Sequence, residues 1–255
     1  MGAVQGRMRS VAAGKARTSK PSTRHETVDV WRAHLALPAG ELSRLAPCLN
    51  DQERQRAARF RFQRDRDRFL ASRGLLRHIL ASYLNAPAGE IHFGYAPQGK
   101  PFLVDHPDIH FNLSHAGEVL VIAVAAGREL GVDVEQVFPE AVMNEVSGPV
   151  LSDPERVAFR RLNPGERRDW FVRLWTRKEA YIKADGRGMS LRLERIDVST
   201  LPERVRLLGD AADDWPLCPR WAIRELEVAP GYAGALASEA LDWRVAYFDW
   251  PSDAR

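Results

Sequence analysis

The stretch IHFNLSHAGEVLVIAVAAGRELGVDVE, from Ile109 to Glu135, decides the fold. Ile109, Phe111 and Leu113 alternate with polar residues, Leu120 to Ala125 form a continuous apolar run, and Gly127 interrupts the chain before it resumes at Leu130. This pattern predicts strand, turn, buried strand, turn, strand. In the third strand Val132 and Val134 take one face, so Asp133 and Glu135 project together from the other, with Cα atoms roughly 6.5–7 Å apart. Like charges held this close disfavour ionisation and raise one pKa unless a cation joins them. Mg²⁺ suits such a pair, because it takes oxygen ligands and completes its shell with waters and a substrate phosphate. A solvated strand face carrying two acids is the plainer alternative.

A second stretch, WTRKEAYIKADGRG from Trp175 to Gly188, is its distant partner. A helix is predicted from about Asp169 to Ala184, with Phe171, Leu174, Trp175, Tyr181 and Ile182 as its apolar side and Gly186 and Gly188 as its stop. Glu179 and Lys183 then fall one turn apart on one face. They read either as an i,i+4 salt bridge worth ~0.3–0.5 kcal/mol, or as a third metal carboxylate and a phosphate counter-charge.

At 255 residues and 45% hydrophobic, the chain can bury a full core as one domain or two small ones. A net charge of +3 suits an acidic partner without implying nucleic acid. Two cysteines, Cys48 and Cys218, exclude a disulfide framework, and no Cys/His cluster suggests zinc. No apolar run approaches the ~20 residues that cross a bilayer, and a reducing, cytoplasmic setting is expected. Residues 1–24 hold six basic residues and no acid. They read as a disordered basic tail, with an organelle transit peptide or an upstream extension as other readings.

Along the chain, Val28–Leu37 is predicted to be the first strand, and Asp51–Leu84 a helical region rich in arginine. Guanidinium forks in such a run can bind phosphate bidentately, or simply form a solvated face. Short strands separated by Gly/Pro turns follow Pro87. Beyond Glu135, Ser152 or Asp153 before Pro154 and Glu155 predicts a helix start. Strand-like pieces LRLERIDV, RWAIRELEV, AGALAS and LDWRVAYFDW close the chain, so the whole reads as α+β with helices packed on antiparallel sheets.

The ordered set GKPF (Gly99–Phe102), FNLSH (Phe111–His115), GVDVE (Gly131–Glu135) and WTRKEAYIKADGRG closely resembles the Sfp-type 4′-phosphopantetheinyl transferases. These enzymes move the phosphopantetheine arm of coenzyme A onto a serine of an acyl or peptidyl carrier protein. The likeness runs from about Val28 to the C-terminus and includes PGYAGALA, Pro230–Ala237. It implies two similar α/β subdomains related by a pseudo-twofold, with the active site at their interface. The expected division is a tail over 1–25, an N-terminal subdomain over 26–126 and a C-terminal subdomain over 127–255.

The resemblance also implies roles for residues. Asp133, Glu135 and Glu179 would hold Mg²⁺ against the coenzyme A pyrophosphate, with Lys183 as counter-charge. Ser114 and His115 match an SH pair that contacts the phosphates; Ala116 stands where the family often has serine. Arg56 and Lys100 match residues that hold the cofactor, Lys100 beside its adenosine portion, and Arg59, Arg68 and Arg73 are further candidates for its 3′-phosphate and pyrophosphate. Glu155 reads as a first-turn helix acid, and its position also resembles a family glutamate proposed to deprotonate the attacking serine. Glu155, Glu179 or a metal-bound water would then serve as base, and 3′,5′-ADP would leave.

The expected partners are coenzyme A and acidic carrier domains, with the protein a monomer and neither membrane nor nucleic acid involved. Two rivals differ in class. A coenzyme A-binding regulator without catalysis should lose a metal carboxylate, yet all three are present. A nucleic-acid-binding protein would account for the arginines but leaves the GVDVE and KEAYIK pairing without a role.

Overall fold

The computed structural model describes residues 26–188, 191–199, 205–208, 221–239 and 242–250. The basic segment 1–25 and Cys218 lie outside the described residues.

The first half begins with β1 (Thr27–His34), α1 (Ala39–Leu45), α2 (Asp51–Ala58) and α3 (Gln63–Leu84). A small hairpin follows, β2 (Phe93–Tyr95) and β3 (Pro101–Leu103), and then a long one, β4 (Ile109–Ala116) and β5 (Val119–Ala126). The second half runs β6 (Leu130–Gln136), α4 (Glu140–Val150), α5 (Asp153–Arg161), α6 (Pro164–Asp185), β7 (Ile196–Asp197), β8 (Arg206–Leu207), β9 (Trp221–Leu226), β10 (Tyr232–Glu239) and β11 (Arg244–Asp249). The chain is α+β.

Both halves follow one plan. In the first, β5 inserts between β1 and β4; in the second, β10 inserts between β6 and β9, antiparallel to both neighbours in each case. Each sheet is backed by a 22-residue helix, α3 or α6. One pairing departs from the antiparallel expectation, since β11 returns from the end of the chain to lie parallel to β1.

Alternation sorts the side chains into three cores. Leu35, Leu75, Leu76, Ile79, Phe111 and Ile122 pack between α3 and the first sheet. Val28, Val30, Val121, Val132, Val134 and Leu236 fill the space between the sheets. Phe171, Leu174, Tyr181, Ala235 and Ala237 lie between the second sheet and α6. Strand β5 is buried on both faces, which explains its unbroken apolar run.

Three local readings change. The helical region over Asp51–Leu84 is two helices, broken at 59–62. Phe60 packs on Phe69 with ring centroids 5.4 Å apart, whereas residues nine apart on a continuous helix point about 180° away from each other. Helix α6 starts five residues earlier than predicted, because Asn163 and Glu166 form a capping box around Pro164. Of LRLERIDV only Ile196–Asp197 is strand, and Leu193–Arg195 is a turn of 3₁₀ helix.

Candidate active site

The site grows from a seam between two sheet edges. Strands β4 and β6 are each the outer strand of their own sheet, so their facing backbone groups have no ladder partner across the gap. Buried Asn112 fills that role: its Oδ1 accepts the Val132 N–H at 2.9 Å. Two residues further along β4 and one along β6, the Ser114 hydroxyl donates to Asp133 Oδ1 at 2.9 Å. The FNLSH and GVDVE motifs thus interlock as neighbouring edges.

Gly131 brings the third motif in. A Cβ built there would lie 2.2 Å from Ala184 N and 2.3 Å from Ala180 O, so only glycine lets the α6 backbone settle directly on β6. By strand alternation Asp133 and Glu135 share that face. Lys183 consequently reaches Asp133, donating to Oδ1 at 2.6 Å and to the Ser114 Oγ at 3.0 Å. Lys183 therefore pairs with Asp133 of β6 and reaches Ser114 across the seam, rather than forming a simple i,i+4 bridge with Glu179.

Electrostatics concentrate at this point. Burial pushes the Glu135 carboxyl up to about 7, aided by the negative charge of Asp133 and, more weakly, Glu179. Glu179 is raised for the same two leading reasons, loss of solvent and then Asp133. Asp133 is 2% exposed, and its Oδ2 has no hydrogen-bond partner among the described residues.

A hard divalent cation fits these donors in kind: all are carboxylate oxygens, one is buried and unpartnered, and their mutual repulsion would be relieved. Among the described residues no three His, Cys, Asp or Glu groups stand together as a metal set without further ligands. Mg²⁺ needs only one or two protein carboxylates beside waters and phosphate oxygens, so the donor set remains adequate.

A pocket of about 650 Å³ adjoins these groups through Ser114 and Lys183, which both bond Asp133, and is lined from the first half by Arg56, Arg68, Arg73, Ser114 and His115 and from the second by Lys183. The arginines are held at its rim in different ways. Arg68 is ion-paired with Glu118 of the β4–β5 turn, and Arg73 with buried Glu53, which also binds Arg77 and caps α2. Arg56 lies 5.4 Å over the Phe69 ring, and among the described residues its guanidinium enters no ion pair. His115 is pushed below the ordinary histidine pKa by loss of solvent and then by Lys183 and Arg68. A ring so placed gains a proton when a phosphate supplies negative charge.

Three expected residues stand elsewhere. Arg59 lines a neighbouring depression with Gln52, Gln55, Arg56 and Phe60. Lys100 lies outside the arginine pocket, with its ammonium donating to Glu129, Leu130 O and Ala184 O. Glu155, a candidate base, is fully buried: its carboxylate accepts the Ser152 and Val198 N–H groups and pairs with the fully buried Lys178 at 2.5 Å. Its capping-box role displaces the catalytic one. Asn112, Gly131, Glu53 and Glu118 were given no role in the sequence; for the first two the only signal was their place inside recognised motifs.

The chain is similar to known proteins along most of its length. Residues 37–127 match the family described as 4′-phosphopantetheinyl transferase, N-terminal, and residues 129–236 the 4′-phosphopantetheinyl transferase superfamily. The 4′-phosphopantetheinyl transferase HetI of Nostoc sp. is 33% identical over 88% of this chain and 93% of its own length. Sfp of Bacillus subtilis is 29% identical over 84% of this chain and 89% of its own. Among solved structures, an ACPS–CoA complex from Chronobacterium ammoniagenes covers 44% of this chain and 95% of its own, at 23% identity and a TM-score of 0.34. Two matched family segments that meet at the β4–β6 seam, and a relative matched over nearly its whole length, show that the chain belongs to the Sfp-type 4′-phosphopantetheinyl transferase family.

Proposed function

We propose that this protein transfers the 4′-phosphopantetheine arm of coenzyme A to a serine hydroxyl of an apo acyl or peptidyl carrier protein, with Mg²⁺, releasing 3′,5′-ADP. The observation that carries this reading is the pocket lined by Arg56, Arg68, Arg73, His115 and Lys183, in which the Lys183 ammonium also donates to Oδ1 of buried Asp133 at 2.6 Å. Charges of that density and sign suit a polyanion whose reacting phosphate sits at a metal. In this reading the protein acts as a cytoplasmic monomer on acidic carriers, and residues 26–126 and 127–255 serve as its two subdomains.

Asp133 and Glu135, with Glu179, are the groups that would hold Mg²⁺, which when bound supplies Lewis-acid neutralisation of the pyrophosphate charge. The arginines and His115 bind and orient the phosphates, so that the transfer depends on positioning and charge stabilisation. Glu179 is the carboxylate that takes the proton from the carrier serine. The serine Oγ then bonds to the β-phosphorus as the bond to the bridging oxygen of the α-phosphate breaks. Lys183 stabilises the charge that develops on the departing 3′,5′-ADP.

The test is Asp133→Ala. Transfer should fall by ~10²–10³-fold while the melting temperature and coenzyme A binding without Mg²⁺ persist. Turnover like wild type from this variant would remove Asp133 from the reaction.

A further inference from the structure

Lys100 projects from the turn between β2 and β3, away from the arginine pocket, and its side chain is 17% exposed. Its three ammonium protons have three acceptors: Glu129 Oε2 at 2.7 Å, Leu130 O at 3.1 Å and Ala184 O at 3.1 Å. Leu130 is the first residue of β6, three before Asp133, and Ala184 follows Lys183 in the last turn of α6. The Ala184 carbonyl is among the final four of the helix, which have no intrahelical donor. A cation there also meets the negative end of the helix dipole. Glu129 is held as an anion, its pKa lowered to about 2 first by a hydrogen bond from His110 and then by Lys100.

At Gly131 and Ala184, β6 and α6 approach so closely that a Cβ on Gly131 would lie 2.2 Å from Ala184 N. Lys100 joins the same two elements immediately beside that contact, and ties both to the first half. From this we infer that Lys100 is a positioning residue: its ammonium fixes the start of β6 to the end of α6, and so sets the distance between Asp133 and Lys183. It acts through those two residues and does not bind the cofactor's phosphates. The inference rests on the proposed transferase reading and departs from a cofactor contact for the Lys100 ammonium.

The experiment compares Lys100→Met, which keeps the stem and removes the donors, with Lys100→Arg, which restores donors, using a carrier that the wild-type protein modifies. For Lys100→Met, kcat should fall by up to ~10²-fold, as expected of a displaced catalytic pair, while KM for coenzyme A stays within about 3-fold of wild type, a change under roughly 1 kcal/mol. Lys100→Arg should recover most of the lost kcat. A large rise in KM for coenzyme A at unchanged kcat would overturn the inference in favour of direct contact. A lowered melting temperature with wild-type kcat would overturn it too, leaving only a structural role. Should Lys100→Met fail to fold, Glu129→Gln loosens the same clamp from a half-exposed acceptor, and its kcat should fall at constant KM; an unchanged kcat there contradicts the inference. Failure of wild-type protein to modify any carrier would instead count against the transferase reading.

Discussion

Lys178 and Glu155 form an ion pair with neither side chain exposed, and Lys178 also donates to Val150 O and Leu193 O. Adjacent to it in sequence, Glu179 faces the active site. One residue along the helix thus separates a structural anchor from the carboxylate proposed to react, and no sequence spacing distinguishes them. The KEA motif was legible as a motif, but burial assigned its members, because α6 inserts one face into the core and turns the next toward the seam. Glu155 illustrates the same limit: a first-turn acid and a general base look alike until the Ser152 and Val198 N–H groups are found on it. Removing one partner of a buried pair leaves a charge without compensation, which costs about 3–5 kcal/mol. Glu155→Gln should therefore lower stability by that order in a thermal or urea melt, with kcat per folded molecule unchanged. Loss of kcat at wild-type stability would restore Glu155 as the base.

At the scale of elements, the strands of the Ile109–Glu135 stretch were readable because β4 and β6 alternate and β5 is buried on both sides. Helix α4 was not foreseen; its segment EAVMNEVSGPV includes Gly148 and Pro149, which read as turn signals. The meeting of α6 with β6 was legible only as two motifs in the right order. What makes the meeting possible is Gly131, together with Ala235 and Ala237 on the adjoining strand, small residues that let the helix lie close. Gly131→Ala places a methyl against backbone atoms that cannot rotate away. It should destabilise the protein by at least ~1–3 kcal/mol and slow transfer by up to ~10²-fold through a displaced Lys183. Melting curves and single-turnover rates check both effects; a variant with wild-type stability and rate would show that the close approach has no consequence.

The whole molecule is a stack of helix, sheet, sheet and helix, closed by β11 returning beside β1. The α+β class was legible in the strand and helix patterns and the two-part architecture through the family motifs, while the shared strand order of the halves was not, because repeated topology leaves no repeated sequence here. Global stability carries a signature of one buried acid in that stack. Asp29 on β1 is 3% exposed and accepts from Tyr83 at 2.8 Å, and burial raises its pKa from 3.8 to about 6. The folded state therefore holds a proton that the unfolded chain releases first. The contribution of Asp29 is most favourable below about pH 4, declines between about pH 4 and 6, and bears the full penalty above, up to ~3 kcal/mol for a shift of this size. Asp29→Asn should thus stabilise the protein by ~1–3 kcal/mol at pH 8 and by little at pH 3.5. An equal effect at both pH values would show that Asp29 is not raised.

The most direct measurement is intact-mass spectrometry of an apo carrier protein incubated with this protein, coenzyme A and Mg²⁺, beside a control containing EDTA. The pocket joining both halves predicts a gain of one phosphopantetheine arm on the carrier and its loss in EDTA. An unchanged mass across acyl and peptidyl carriers, from a protein that also fails to bind coenzyme A, would contradict the account.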